Sequence, residues 1–310
     1  MIGWLRRRGE ATTTVGCYGK LPLDREFLRL NASAPEVEAV DRWIQAGMAA
    51  AQGRMDNTPD GAGRGLYGSF RGGDFLMPPQ ERGQRYCLGH LHPSQDSAGR
   101  RFPCTLFLLA DGRHVEPTYL APLRYHTYLA GAARVVQQGE EMGDKAAWLE
   151  RVRNLASVAE PREVDFPAEE GLSGRLARLL PDEARHAPTL QLLVETVVDR
   201  PRGGWVVRLP VAGDEEAGVA GWLHLADGLR PREGAAHAAL WGNGVLWLVA
   251  GSPTPGLFLN LLGLLQDDRL VDGGDEATLT AARGRLFPGV AAALGAGGVA
   301  ITRLANWRWR

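Results

Sequence analysis

The sequence predicts an α/β or α+β protein in two lobes, with helices over a sheet. Three observations carry this expectation. Short apolar runs of strand length, Tyr86–Leu91 and Phe102–Ala110, are set among stretches of helical periodicity. The second run contains Leu106-Phe107-Leu108-Leu109, apolar at every position, as in a strand covered on both faces. Strand and helix signals interleave along all 310 residues without an internal repeat, the order expected of helices layered over a sheet.

The elements follow in order. Val15–Tyr18 is β-prone and runs into Gly19-Lys20-Leu21-Pro22, where the proline disfavours helix at Leu21. A helix is expected from Pro35. Ser33 is placed as its N-cap with Glu36 three residues on, a capping-box pattern. Val37, Val40, Ile44 and Met48, with Trp43 beside them, form its apolar stripe. Gln52–Gly65 is rich in Gly, Asp, Asn and Pro and reads as a loop. The two apolar strands are joined by a polar, turn-forming connection, residues 92–101. Tyr119–Gln138 and Lys145–Val158 read as helices. Residues 160–171 are charged and contain Pro161 and Pro167, which marks a linker between residues 1–158 and 172–310. A division is also in keeping with length, since chains near this size often split their core.

Beyond the linker, Leu176–Leu180 and Leu190–Val198 look helical and Trp205–Val211 extended. His237–Trp241 and Val245–Ala250 flank Gly242-Asn243-Gly244, a hairpin signal. Pro255–Leu265 and Glu276–Leu294 read as helices, the latter interrupted at Pro288. Ala300–Arg310 is expected to add a last strand.

Composition narrows the function. Lys+Arg 35 against Asp+Glu 36 gives a formal charge of -1, without the basic excess of a nucleic-acid binder. The longest apolar runs, Val290–Ile301 and Val245–Ala250, fall short of the roughly 18 residues that span a bilayer. Arg6-Arg7-Arg8 follows the short apolar Met1–Leu5 rather than preceding an apolar core, so no secretory signal is expected. Three widely spaced cysteines, Cys17, Cys87 and Cys104, suit reduced thiols in a cytoplasmic protein better than a disulfide framework.

No chemical constellation is complete. Gly19-Lys20 lacks the G-x-x-x-x-G-K-[ST] frame of a phosphate loop, and Leu21 stands where the hydroxyl residue belongs. His90 and His92 share a strand face with Cys87 and Asp96 nearby, but no second cluster has metal-ligand spacing. Ser94 and Asp96 have no Gly-x-Ser-x-Gly elbow to support a catalytic triad. No cofactor, metal or catalytic residue is therefore expected. Asp96 and Arg100, four apart in a Gly- and Ser-rich turn, read either as a clamp holding the connection or as a loop exposed to a partner. Trp307-Arg308-Trp309-Arg310 either packs or binds, since Trp and Arg are favoured at interfaces.

Three segments together carry a family resemblance. Gly16-Cys17-Tyr18-Gly19-Lys20-Leu21-Pro22 with Glu26-Phe27 resembles the G-[FY]-x-G-K-[LIV]-P opening and following G-D-F of the TagF (ImpM) family. Arg25-Glu26-Phe27 keeps the acid and the aromatic of that second motif without its glycine. Asp41-Arg42-Trp43-Ile44-Gln45 is similar to its W-D-x-W-L-Q helix, and Pro93–Pro103 to its P-S-x-D-x-x-G-R-x-[FY]-P element. The resemblance covers residues 14–110. Leu240-Trp241 and Gly251–Leu264 echo later family elements more faintly, and extra sequence lies between about 140 and 235.

The resemblance implies an α/β fold, a three-layer α/β/α N-terminal module followed here by a second α+β lobe, in a non-enzymatic regulator that restrains bacterial type VI secretion by binding a forkhead-associated-domain scaffold protein. Partner contacts are expected around Lys20, Glu26 and Phe27, with Ser94, Asp96 and Arg100 of the following loop as the second candidate, since each segment pairs a polar or charged group with an aromatic or a turn; Gly19, Pro22, Trp43, Gly99, Phe102 and Pro103 are expected as structural positions. A stoichiometric component of the same machine, or an enzyme acting through the second lobe, are the alternative readings.

Overall fold

Thr14–Gly19 forms the strand β1, which lies antiparallel between β2 (Leu28–Leu30) and β5 (Cys104–Ala110). β5 continues to β4 (Tyr86–His92), and β4 to β3 (Gly73–Met77), each pair antiparallel. All seven residues of β5 are buried, as its unbroken apolar run requires. This is a computed structural model that describes residues 13–56, 70–81, 83–167, 171–199, 205–229, 237–249, 251–263, 270–285, 290, 292 and 294. The basic cluster Arg6–Arg8, most of the expected loop 52–65, the helix expected beyond residue 285 and the Trp307–Arg310 tail lie largely or wholly outside them.

The second half supplies β6 (Val206–Pro210), β7 (Ala238–Gly242), β8 (Val245–Val249) and β9 (Leu270–Asp272). The expected hairpin joins β7 to β8, and Asn243 and Gly244 take positive φ (56 and 74), which suits the twist of a tight hairpin turn. β6 pairs antiparallel with β8 and parallel with β9. β7 pairs directly with β3, with Asp74 opposite Trp241. The result is one nine-stranded sheet, β2-β1-β5-β4-β3-β7-β8-β6-β9. The expected division into residues 1–158 and 172–310 therefore does not separate two sheets: the halves meet edge to edge through backbone hydrogen bonds.

The helices are α1 (Pro35–Asp56), α2 (His126–Glu141), α3 (Lys145–Asn154), α4 (Leu172–Leu179), α5 (His186–Val194), α6 (Glu215–Leu229), α7 (Pro255–Leu261) and α8 (Glu276–Arg283). α2 to α6 bury Tyr128, Trp148, Leu176, Leu190 and Trp222 in one core with Cys17, Leu88, Leu106 and Leu248. On the other face, α1 and α7 bury Ile44 and Phe258 with Phe75, Phe107 and Leu240. The architecture is α/β with helices on both faces, and each core draws on both halves of the chain.

Several local expectations are corrected. The capping box from Ser33 does not form: Val37 and Glu38 donate to Ala34 O, and Glu36 instead accepts the N–H of Arg85 at 2.8 Å. α1 also continues through Gln52–Asp56. The helix expected over 119–138 is broken at Tyr125, whose backbone (φ -103, ψ 10) separates a short turn, Ala121–Arg124, from α2. The expected linker is pinned down: Arg162 N donates to Arg124 O (3.1 Å), and Phe166 packs on Tyr119 and under the Arg175 guanidinium.

Candidate functional site

The site begins where β1 ends. Gly19 has φ +135, and a Cβ there would lie 2.1 Å from Pro103 O and 2.7 Å from Cys104 Cα. Only glycine allows the exit of β1 to close onto the entry of β5. This closure delivers Lys20 to the loop before β5, where its Nζ lies 2.8 Å from Asp96 Oδ2 with both side chains buried.

Asp96 is the hub of that loop. Oδ1 accepts the N–H groups of Ala98 and Arg100, each at 2.9 Å, and Oδ2 accepts Arg100 Nε at 2.7 Å. The backbone closes the turn through Asp96 N to Arg100 O (3.0 Å) and Gly99 N to Asp96 O (2.9 Å), with Gly99 at φ +78. Phe102 N donates to Ser94 O, and Gln95 and Arg101 form a β-bridge. Burial by itself raises the Asp96 pKa, but the hydrogen bonds from Lys20, Arg100 and Ala98 outweigh it and hold the carboxyl far below the ordinary range. The carboxylate is thus a fixed anion that organises two segments.

The loop is also fastened to the 20–27 turn from outside. Ser97 N donates to Asp24 O at 3.0 Å, and Arg100 Nη2 donates to Arg25 O. Asp24 in turn pairs with Lys145 of α3 at 2.5 Å. Beneath the turn, Phe27 stacks on Tyr18 with centroids 5.3 Å apart, and Phe102 meets both rings edge-on. Lys20 sits 4.9 Å over Phe27, and Arg29 5.4 Å over Tyr18.

The residues singled out in the sequence therefore divide. Lys20, Ser94 and Asp96 are buried, and Phe27 is half-buried in the aromatic cluster. Glu26 and Arg100 are exposed, beside Arg25, Arg29 and Arg101. Gly19, Gly99, Phe102 and Pro103 shape the clamp, and Pro22 lies at its edge. Trp43 acts elsewhere, donating from its indole to Thr254 O at 2.8 Å. Tyr18 and Arg29 complete the aromatic–cation stack and were not singled out; the Tyr18, Phe27 and Phe102 aromatics around one lysine were the available signal.

The other candidate clusters resolve into separate pairs. Lys20, which a phosphate loop would need, is bound to Asp96. His90 Nδ1 lies 2.7 Å from Asp74 Oδ1, and His92 Nε2 3.3 Å from Glu140 Oε1. Among the described residues, no group of three or more His, Cys, Asp or Glu is placed to hold a metal. The three cysteines are buried and free, and burial pushes their thiols up, Cys17 to about 12. No helix is long and apolar enough to cross a membrane among the described residues.

The site is thus a carboxylate-centred clamp that ties two loops of an α/β protein together beneath exposed arginines. Residues 16–165 match the TagF N-terminal domain, described as type VI secretion system-associated. These residues, which include the whole clamp, form a TagF N-terminal domain, and the chain is to that extent a type VI secretion system-associated protein. The crystal structure of PA0076 from Pseudomonas aeruginosa PAO1 is similar in fold, with a TM-score of 0.51 at 19% identity over 82% of this chain and 96% of that one. None of the curated proteins matches the chain.

Proposed function

We propose that this protein restrains type VI secretion from the cytoplasm by binding, without catalysis, a forkhead-associated-domain scaffold protein of the secretion machine. The observation that supports this reading most is the clamp itself. Two segments of the TagF domain are locked together by a buried Lys20–Asp96 pair, and that lock holds Glu26, Arg100 and the edge of Phe27 in fixed positions at the surface. Preorganised groups lose little entropy when a partner docks. Lys20, Ser94 and Asp96 then act by positioning, and the exposed residues make the contacts.

A repressor of this kind needs only to prefer one assembly state of its target. A tenfold bias corresponds to about 1.4 kcal/mol of differential affinity. Overproducing the protein should block secretion without lowering the levels of the machine's components, and deleting its gene should raise secretion. Secretion that is unchanged in both strains would refute the reading.

A further inference from the structure

Of the 35 Lys and Arg residues in the sequence, two are lysines, Lys20 and Lys145, and both end at the clamp. Lys20 is buried against Asp96. Lys145 opens α3, its side chain is 43% exposed, and its Nζ donates to Asp24 Oδ2 at 2.5 Å. The helix does not account for this lysine, because a cation in the first turn opposes the helix dipole. The pair with Asp24 does, and the hydrogen bond from Lys145 is the main cause that lowers the Asp24 pKa. Asp24 is a joint of the surface described above. Its Oδ1 accepts the N–H of Glu26 at 3.2 Å, and its backbone carbonyl accepts that of Ser97 at 3.0 Å. Lys145 therefore ties the turn that presents Glu26 and Phe27 to a helix. We infer that Lys145 is a modification site, at which acylation by an acyl phosphate or a thioester loosens this turn and weakens docking. The effect on docking rests on the reading above.

The chemistry selects one side chain. The remaining cations are arginines, whose guanidinium does not deprotonate in proteins and so offers no nucleophilic amine. Lys20 is shielded by the fold, which leaves Lys145. When the exposed pair opens, the Lys145 ammonium gives one proton to solvent. The free amine attacks the acyl carbon, and a C–N bond forms. The bond from that carbon to the phosphate oxygen or the thioester sulfur breaks, its electrons stay with the leaving group, and the second proton passes from nitrogen to that group. The product amide carries no charge, so the ion pair with Asp24 is lost. Asp24 keeps the N–H groups of Glu26 and Ser97, and the clamp persists. The turn is loosened without being unfolded. α3 also persists, because Asp144 still caps it by accepting the N–H groups of Ala146 and Ala147, and the lost charge is one its dipole disfavours.

The test treats the folded full chain with acetyl phosphate and follows acetylation at each lysine by peptide mass spectrometry. Lys145 should react at least tenfold faster than Lys20, and the two rates should converge once the chain is unfolded in denaturant. In hydrogen–deuterium exchange, the amides of residues 23–27 should exchange about threefold faster after acetylation, the scale of a lost exposed ion pair. Those of α3 beyond its first turn should not change. Lys145→Arg keeps the charge and takes no acyl group, so its exchange should not respond to the treatment. The proposal is overturned if Lys145 reacts no faster than Lys20 in the folded chain, if residues 23–27 exchange alike before and after treatment, or if Lys145→Arg responds as the parent does. A purified forkhead-associated protein from the same cell separates the two readings. It should bind the acetylated chain about threefold more weakly than the untreated one. Equal binding to both overturns the proposal. If it fails to bind the untreated chain while reactivity and exchange behave as stated, the regulatory reading falls, and Lys145 stands as a modification site that loosens the turn.

Discussion

Replacing Trp43 with phenylalanine should lower global stability by about 2 kcal/mol and leave a single unfolding transition. Trp43 lies on α1 within the TagF domain, but its indole hydrogen bond and its edge-on ring contact reach outside that domain. Its indole donates to Thr254 O at 2.8 Å, and its ring meets Phe258 of α7 edge-on at 5.7 Å. Loss of the hydrogen bond costs about 1 kcal/mol net. Thr254 O keeps the N–H of Leu257 at 3.1 Å, so no carbonyl is orphaned and the cost stays near that value. The smaller ring gives up about 40 Å² of buried apolar contact, worth about 1 kcal/mol.

In a chain of this size, about 2 kcal/mol corresponds to a melting point about 3 °C lower. Gly47→Ala tests the same interface from the opposite direction. A Cβ there would lie 2.4 Å from Phe258 Cβ. The crowding, about 1–3 kcal/mol, should exceed the gain of about 1 kcal/mol in helix propensity. Because both residues press on Phe258, the double variant should lose less than the sum of the singles. Denaturant unfolding monitored by circular dichroism and fluorescence provides the readout. A change under about 0.5 kcal/mol for Trp43→Phe, or two transitions of which one alone moves, would refute the claim that α1 and α7 belong to one cooperative unit.

Three further outcomes are expected. Gly19→Ala, strained at φ +135 and blocked by Pro103 O at 2.1 Å, should destabilise the protein by about 3 kcal/mol, read by chemical denaturation. Asp96→Asn should lower the melting point and flatten the acid limb of the stability profile. The depressed Asp96 pKa gives stability that is complete well above the unfolded value of 3.8 and is lost as pH falls below it. His224 is buried, and desolvation followed by the nearby Arg175 charge lowers its pKa from 6.5 to about 4. The folded state therefore resists protonation, stability falls as pH drops from 6.5 towards 4, and His224→Gln should remove that slope in melting points taken across the window.

How much could be read from the sequence follows physical lines. β1, β4, β5 and the β7–β8 hairpin were legible because their apolar runs and Gly-Asn-Gly turn are local signals. β3 was not, because Gly73-Asp74 dilutes its pattern, and its place depends on pairing with β7 more than 160 residues away. α6 was missed for the opposite reason: residues 218–226 are buried all round, so no amphipathic stripe marks the helix. The joining of the halves through β3 and β7 is likewise a long-range fact. In the site, the Asp96–Arg100 turn was legible from spacing, but the burial of Lys20 against Asp96, 76 residues away, was not. Nor could spacing show which of the singled-out residues would face solvent.

Direct binding tests the central claim most sharply. Isothermal titration of the purified chain with the forkhead-associated type VI protein from the same cell should give saturable heat at a defined stoichiometry. Glu26→Lys and Arg25→Glu, both at exposed positions and outside the hydrogen bonds to Asp96, should weaken that binding at least tenfold while the folded protein persists. No detectable heat with the parent chain, or equal affinity for the parent and both variants, would contradict repression by docking on the clamp.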